Sequence, residues 1–216
     1  MNDKEINHHV SDNLLLAYSS GNLPEAFSIA VASHISMCDT CRSTMESFNA
    51  MGGLVLDKTI GVAINKDTFG KTLEKIAFGV PEVKRQLGSH NEIPTPLADY
   101  IGPNLDSIRW QNIGMGVKQS LLNTSSEATA RLLYIPGGAE MPDHSHTGTE
   151  LTLVLQGAFA DEEDYFSRGD IEIADSGVKH TPVALDGIGC VCLTVTEAPL
   201  KFKKIFHKAI QPFLRI

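Results

Sequence analysis

Residues 138–150 read GAEMPDHSHTGTE, and after six more residues the chain reaches Gly157. His144 and His146 alternate around one serine, so on a β-strand both imidazoles point to the same side. Glu150 would lie about 13 Å from His146 in an extended chain, but the intervening Thr-Gly-Thr allows a turn. A further histidine, His180, follows another glycine-based turn. Three imidazoles and one carboxylate inside a β-barrel suit Zn, Fe, Mn, Ni or Cu, so this set predicts a metal site.

The sequence around this motif contains short runs of β-forming residues separated by glycine-based turns. The clearest runs are residues 131–135, 151–155, 171–173 and 190–195. Many short strands with such turns are typical of a sandwich or a barrel. We therefore predict a double-sheet jelly roll for the C-terminal part of the chain, with strands from Leu97 onward.

The spacing of these residues resembles the cupin superfamily. The first cupin motif, G-x5-H-x-H-x3,4-E-x6-G, is matched at each fixed position, by Gly138, His144, His146, Glu150 and Gly157. The second, G-x5-P-x-G-x2-H-x3-N, is matched at Gly169, Gly177 and His180, whereas Asp175 and Ala184 replace the proline and the asparagine. Neither replaced position is a ligand. The resemblance implies a double-stranded β-helix barrel that holds a metal ion.

The sequence of the first part of the chain predicts short helices rather than strands. Ser11 is a suitable N-cap for a helix that ends near Gly21, and a second helix follows Pro24. A third should run from about Asp39 to residue 51 and stop at the two glycines that follow, and a fourth should start at residue 65 or 67. Helices this short bury little core, so another interaction must help to hold them together.

A second set of metal-ligand residues lies in this helical part. Cys38 and Cys41 follow His34 by four and seven residues, which places all three within about 40° on a helix. A structural zinc site needs four nitrogen or sulfur ligands, and His8 and His9 are the histidines available upstream. Such a site stabilises small domains by about 10–16 kcal/mol. The alternative is a pair of buried or redox-active thiols beside an ordinary helical histidine.

These residues resemble the zinc-binding anti-sigma domain, in which H-x3-C-x2-C follows an upstream histidine. With the cupin motifs, the chain resembles the ChrR-type anti-sigma factors over nearly its whole length, including residues 96–100, 150–157 and 211–213. The resemblance implies that His9 rather than His8 is the fourth ligand and that both sites hold zinc. It also implies that the helical domain inhibits an extracytoplasmic-function (ECF) sigma factor and that the cupin domain senses oxidative stress such as singlet oxygen.

A linker should separate the two parts. Residues 88–96 read GSHNEIPTP, a polar stretch with glycine and two prolines. We therefore predict a zinc-binding anti-sigma domain over residues 1–86, a linker over 87–96 and a cupin domain over 97–216.

The charge and the hydropathy of the sequence limit the classes of partner that the protein can bind. The 216 residues include 18 basic and 26 acidic side chains, a net charge of −8. Because proteins that bind DNA usually present a basic face, this balance favours a protein partner over nucleic acid. No stretch approaches the roughly 18 consecutive apolar residues of a membrane span, and the N-terminus has no signal-peptide pattern. We expect a cytoplasmic protein with no membrane partner.

Two alternatives remain at this stage. Three histidines and a glutamate in a cupin barrel also occur in metal-dependent dioxygenases and isomerases, although an enzyme would not need the N-terminal zinc motif. Cys190 and Cys192 share one face of a strand, where they either fill the barrel wall or form a redox pair.

Overall fold

The computed structural model of the chain describes residues 5–79, 93–141, 144–145, 148–162, 164–175, 179–197 and 201–202. Within these ranges the helices come first: α1 (Asp12–Ser19), α2 (Glu25–Ile35), α3 (Asp39–Asp57), α4 (Asp67–Phe78) and α5 (Thr95–Ile101), followed by a 3-10 turn at Leu105–Ser107. None of these helices combines the length and the hydrophobicity that a membrane-spanning segment requires.

Antiparallel strands make up most of the remaining described chain. They are β1 (Gln111–Gly114), β2 (Val117–Leu121), β3 (Thr129–Ile135), β4 (His144–Ser145), β5 (Glu150–Gln156), β6 (Ala158–Ala160), β7 (Tyr165–Ser167), β8 (Ile171–Ala174), β9 (Lys179–His180), β10 (Val183–Ala184), β11 (Cys190–Thr196) and β12 (Lys201–Phe202). A six-stranded sheet has the order β1-β2-β3-β11-β5-β8, and two three-stranded sheets have the orders β10-β6-β7 and β12-β4-β9. The structure thus has the predicted order of a helical region followed by antiparallel β-sheets.

The central strands of the large sheet are buried on both faces. Leu132, Leu153 and Leu193 belong to a core that also contains the helices. Their neighbours Leu133 and Val154, together with Cys192, belong to a separate core inside the barrel. This division follows from the two-residue period of a strand, which sends successive side chains to opposite faces.

Helix α2 covers the outer face of this sheet. It contacts β3, β5 and β11 on one side and α1, α3 and α5 on the others. Most of its side chains are buried, including Phe27, Ala30 and Val31, as expected for a helix that is apolar all round. The helical region and the barrel therefore share one continuous hydrophobic core.

The prediction that α3 stops at Gly52 and Gly53 is wrong, because the helix continues to Asp57. Glycine inside a helix costs only about 1 kcal/mol relative to alanine, and the following Leu-Val-Leu can sustain the hydrogen-bond ladder. The two glycines are exposed, so no packing contact depends on them.

The prediction that strands begin at Leu97 is also wrong. Helix α5 occupies Thr95–Ile101, with Pro96 in its first turn, where the fixed φ of proline suits a helix and its missing N–H is not needed. Leu97 is fully buried and joins the core that α2 shares with the sheet. The last two residues of the predicted linker thus belong to a helix.

Candidate metal centre and interaction surface

Four predicted ligands from the N-terminal part meet at one point. His34 lies in the last turn of α2, Cys38 is the residue before α3, and Cys41 lies in the first turn of α3. His9 comes from the extended arm that precedes α1. One ligand atom from each of the four residues lies within 4.8 Å of all the others. The turn between α2 and α3 therefore meets the N-terminal arm as the sequence predicted.

The distances between these atoms suit a tetrahedral zinc ion. His34 Nε2 lies 3.3 Å from Cys41 Sγ, and His9 Nδ1 lies 3.3 Å from Cys38 Sγ and 3.6 Å from Cys41 Sγ. Zn–N bonds of about 2.0–2.1 Å and Zn–S bonds of about 2.3 Å at the tetrahedral angle give N···S separations near 3.6 Å. Two imidazoles and two thiolates are also a ligand set typical of structural zinc.

The His34 imidazole is held in one orientation. Its Nδ1 donates to the Gly169 carbonyl oxygen at 2.9 Å, which leaves Nε2 without a proton and facing Cys41. Burial lowers the pKa of His34 to about 4, although the Gly169 hydrogen bond acts in the opposite direction. The ring is therefore neutral at pH 7, the form that coordinates a metal. Donation of the second ring nitrogen to a carbonyl is the usual outer-shell arrangement of a ligating histidine.

Cys41 is buried beside the second thiol. Burial raises the pKa of the Cys41 thiol to about 11, and the neighbouring Cys38 adds to the rise against a hydrogen bond from the Val10 backbone. Without a metal ion the Cys41 thiol thus keeps its proton at neutral pH. Because zinc binds the thiolate, metal binding here must release that proton.

His8 and His9 face opposite directions. His9 points to the cysteines, whereas His8 Nε2 lies 2.9 Å from Asp164 Oδ2 and the His8 ring packs on Phe166 at 4.3 Å between centroids. The structure therefore places His9 in the cluster and His8 against the barrel. The role of His9 as a ligand remains a prediction.

The predicted cupin site is only partly described. Glu150 is the buried first residue of β5 and pairs with Ala174 of β8. His144 and His180 are paired residues of β4 and β9, so the backbone places two predicted ligands on neighbouring strands. Their side chains and all of His146 lie outside the described residues. A metal site formed by these four residues therefore stays a prediction.

The barrel interior beside Glu150 contains a buried cation. Arg131 lines the same cavity as Glu150, Glu172 and Phe159. Burial lowers the pKa of Arg131 to about 10, and the Glu150 carboxylate acts in the opposite direction, so the guanidinium remains charged at neutral pH. Arg131 could not be identified from the sequence, because a single arginine in an apolar strand belongs to no spacing pattern.

Cys190 and Cys192 are buried in the barrel core, in agreement with the first alternative from the sequence, that they fill the barrel wall. The pKa of Cys192 is well above its usual value because its thiol interacts with Cys190 and is desolvated by burial. A thiol held in the protonated form is a poor nucleophile, so Cys192 is not activated for redox chemistry. Both side chains are buried among the apolar residues of the barrel core, where they contribute to its packing.

A large apolar surface lies at the end of the helical region. Every residue from 49 to 79 is exposed. We call this segment, with the second half of α3 and all of α4, the α3–α4 apolar surface. Its large exposed apolar side chains are Met51, Leu54, Val55, Leu56, Ile60, Val62, Ile64, Phe69, Leu73, Ile76 and Phe78. So many large apolar side chains exposed along one segment of a folded protein indicate an interaction site.

Fold and site together define a cupin protein that carries a helical region with a His2Cys2 cluster of metal-binding geometry. A family model described as "ChrR Cupin-like domain" matches residues 100–199. The chain is 48% identical over 211 residues to the anti-sigma-E factor ChrR of Cereibacter sphaeroides, covering 98% of this chain and 99% of that protein. It also matches the crystal structure of Rhodobacter sphaeroides SigE in complex with the anti-sigma ChrR, with a TM-score of 0.80 and 49% identity over 89% of this chain and 99% of that one. The chain belongs to the ChrR family of anti-sigma factors.

Membership of this family confirms the resemblance seen in the sequence. It favours a regulator over a metal-dependent dioxygenase or isomerase, because the similarity extends over the helical region as well as the barrel.

Proposed function

We propose that this protein binds an ECF-type sigma factor and keeps it from RNA polymerase. The observation that carries the proposal is the α3–α4 apolar surface, in which no residue from 49 to 79 is buried. A helix that contributes nothing to its own core gains little stability from propensity alone. Helix α4 therefore needs a partner that covers its apolar side.

The relatives supply the identity of that partner. The chain of 49% identity was crystallised with SigE, and the relative of 48% identity is an anti-sigma-E factor. The chain carries a net charge of −8, which disfavours direct contact with nucleic acid, so we propose no DNA or RNA partner.

We propose that His9, His34, Cys38 and Cys41 hold one zinc ion. Zinc supplies four directional bonds without redox chemistry, so its role here is structural. The four residues would then fix the N-terminal arm and the first turn of α3 to the end of α2. This would determine the direction in which α3 leads to the apolar surface.

We propose that the barrel forms a sensor domain, joined to an anti-sigma domain over residues 1–86 by a linker that begins at residue 87 and ends before α5. His144, His146, Glu150 and His180 would hold a second zinc ion, and oxidants such as singlet oxygen would be the signal. The protein would act in the cytoplasm, where sigma factors meet RNA polymerase.

The central proposal is tested by the affinity of the full-length protein for the ECF-type sigma factors of its host. Phe69, Leu73 and Ile76 lie at i, i+4 and i+7 on one face of α4, and Phe69 and Leu73 are 69% and 49% exposed. The double variant Phe69→Ala/Leu73→Ala should weaken binding at least about 30-fold, the loss expected for central interface residues, and should release sigma-dependent transcription.

The matched control is Lys71→Ala/Lys75→Ala, which changes the opposite face of α4 and should bind like the wild type. If both double variants bind as tightly as the wild type, α4 does not contact the sigma factor and the proposal is wrong.

A further inference from the structure

One turn of the barrel contacts both parts of the chain that carry histidines of the proposed zinc site. This β7–β8 turn comprises residues 167–170. The Gly169 carbonyl oxygen accepts a hydrogen bond from His34 Nδ1 at 2.9 Å. The next residue, Asp170, accepts bonds from the backbone N–H groups of Asn7 and His8 at 2.7 and 2.9 Å.

We infer that the β7–β8 turn of the barrel positions both histidine ligands of the N-terminal zinc site, so that the barrel sets the zinc affinity of the helical region. The inference rests on the proposed zinc site. Asp170 and Gly169 are positioning residues, since neither belongs to the His2Cys2 cluster.

The carboxylate of Asp170 divides its two oxygens between the barrel and the arm. Oδ2 accepts from Ser167 N at 2.8 Å and from Ser167 Oγ at 3.0 Å, which closes the turn itself. Oδ1 accepts both arm N–H groups. The side chain of Asp170 is almost fully buried. An asparagine at this position has one acceptor oxygen, so it can serve either the turn or the arm but not both.

Further contacts hold the arm on the same turn. A Cβ atom at Gly169, whose φ is +92°, would lie 2.6 Å from Ile6 Cδ1, so the arm packs where this glycine has no side chain. Ile171 N donates to the His8 carbonyl oxygen at 3.3 Å. His8 Nε2 also contacts Asp164 at 2.9 Å. These contacts flank His9 on its N-terminal side and fix the position from which its ring reaches the cysteines.

The turn also connects to the predicted cupin site. It leads directly into β8, and Ala174 at the other end of that strand pairs with Glu150. A four-residue strand therefore separates a predicted cupin ligand from the residues that position His9 and His34. Because binding linkage is reciprocal, loss of zinc from the N-terminal site should in turn loosen the β7–β8 turn.

The test compares zinc affinity among full-length variants by competition with a chelator. Co²⁺ replaces zinc in a parallel titration, because its thiolate absorption band reports on the site that contains Cys38 and Cys41. Asp170→Asn and Gly169→Ala should each lower the affinity of that site about 10–100-fold, the usual loss when an outer-shell partner of a metal ligand is removed. His8→Ala, which changes the arm and leaves the barrel intact, should lower it by a smaller factor.

Gly187→Ala is the control. Gly187 also has a positive φ, +118°, but a Cβ atom there would meet nothing within 4 Å, so this variant strains a barrel turn without touching the arm. It should bind Co²⁺ and Zn²⁺ like the wild type. If Gly187→Ala and Gly169→Ala lowered the metal affinity by the same factor relative to the wild type, barrel strain rather than the turn contact would be responsible. That result would overturn the inference.

Failure of the zinc site and failure of the inference give different results. A wild type that shows no cobalt–thiolate band would refute the proposed zinc site. A wild type that shows the band, with Asp170→Asn and His8→Ala both binding as tightly, would overturn the inference and leave the site standing. As a second measurement, zinc removal should accelerate amide exchange at Ile171 by a larger factor than at Leu153, in the middle of the large sheet.

Discussion

At the scale of the residue, His34 has a different role on each side of its ring. Nδ1 donates to the Gly169 carbonyl, and Nε2 faces Cys41 Sγ at 3.3 Å. Because one nitrogen carries the proton, the other offers its lone pair to a metal. Full burial prevents water from replacing either partner. This is why the residue is neutral and oriented before any ion binds.

The paired substitution Cys38→Ser/Cys41→Ser tests the cluster. Both thiols are buried, at 3% and 2% exposure. The variant should lose about one zinc ion per chain and several kcal/mol of unfolding free energy, since serine is a poor zinc ligand and the arm loses its anchor. Elemental analysis and denaturant unfolding measure the two effects.

Cys190→Ser/Cys192→Ser is the matched control, because these thiols are equally buried but lie in the barrel core. It should lose stability without losing zinc from the N-terminal site. Full zinc content in Cys38→Ser/Cys41→Ser would show that the cluster does not hold the ion.

Among the secondary-structure elements, the N-terminal arm is held in place by the β7–β8 turn rather than by secondary structure of its own. Burial tends to raise the pKa of Asp170, but hydrogen bonds from Ser167, His8 and Asn7 outweigh it and hold the pKa below its ordinary value of 3.8. His8 Nδ1, at 3.5 Å from Oδ1, and the neighbouring His34 are the titratable groups that face this carboxylate. The folded state therefore favours the ionised form of the Asp170 carboxylate.

The arm–turn contact predicts an acid dependence of stability. Because the folded pKa of Asp170 is below the unfolded one, its ionised form stabilises the protein above about pH 4, and this contribution is lost as pH falls through the folded pKa. The difference in unfolding free energy between wild type and Asp170→Asn should therefore be constant from pH 7 to 5 and shrink toward pH 3. Urea unfolding at each pH measures it; a constant difference down to pH 3 would contradict the prediction.

At the scale of the whole molecule, the helices and the barrel are not independent bodies. Helix α2 covers the outer face of the large sheet, and Glu25 at its start accepts hydrogen bonds from Tyr100 Oη at 2.8 Å and from the Ser125 backbone N–H at 2.7 Å. Leu15 and Phe27 share one core with Leu153 and Leu193. Separating the two parts would expose apolar side chains of both to water, which is unfavourable.

This shared core predicts one cooperative unfolding transition for the zinc-loaded protein. Trp110 packs against the shared core from the barrel side and reports on its environment by fluorescence, whereas circular dichroism at 222 nm is dominated by the helices. The two probes should give coincident denaturation curves. Two separate midpoints would show that the helical region unfolds on its own.

Several particular features could be predicted from the sequence. The spacing of His34, Cys38 and Cys41 requires only that neighbouring residues form a helix and a turn, and the alternation around Leu133 and Val154 requires only a strand. Two features could not be predicted from the sequence: the extension of α3 through two glycines and the start of α5 at Thr95. In both, a weak local preference is overridden by the surrounding structure. Leu97, for example, is buried by the packing of α5 on α2.

The residues with the chemistry to bind metal and most of the helical and strand regions can be recognised in the amino-acid sequence, because both depend on neighbours along the chain. The direction in which His9 and His8 face, and the hydrogen bond from His34 to Gly169, depend on tertiary packing. The contact between His34 and Gly169 joins residues 135 positions apart, and the contact between His9 and Cys38 joins residues 29 positions apart. The packing of α2 on the large sheet brings them together, and no local pattern specifies which turn of the barrel α2 will meet.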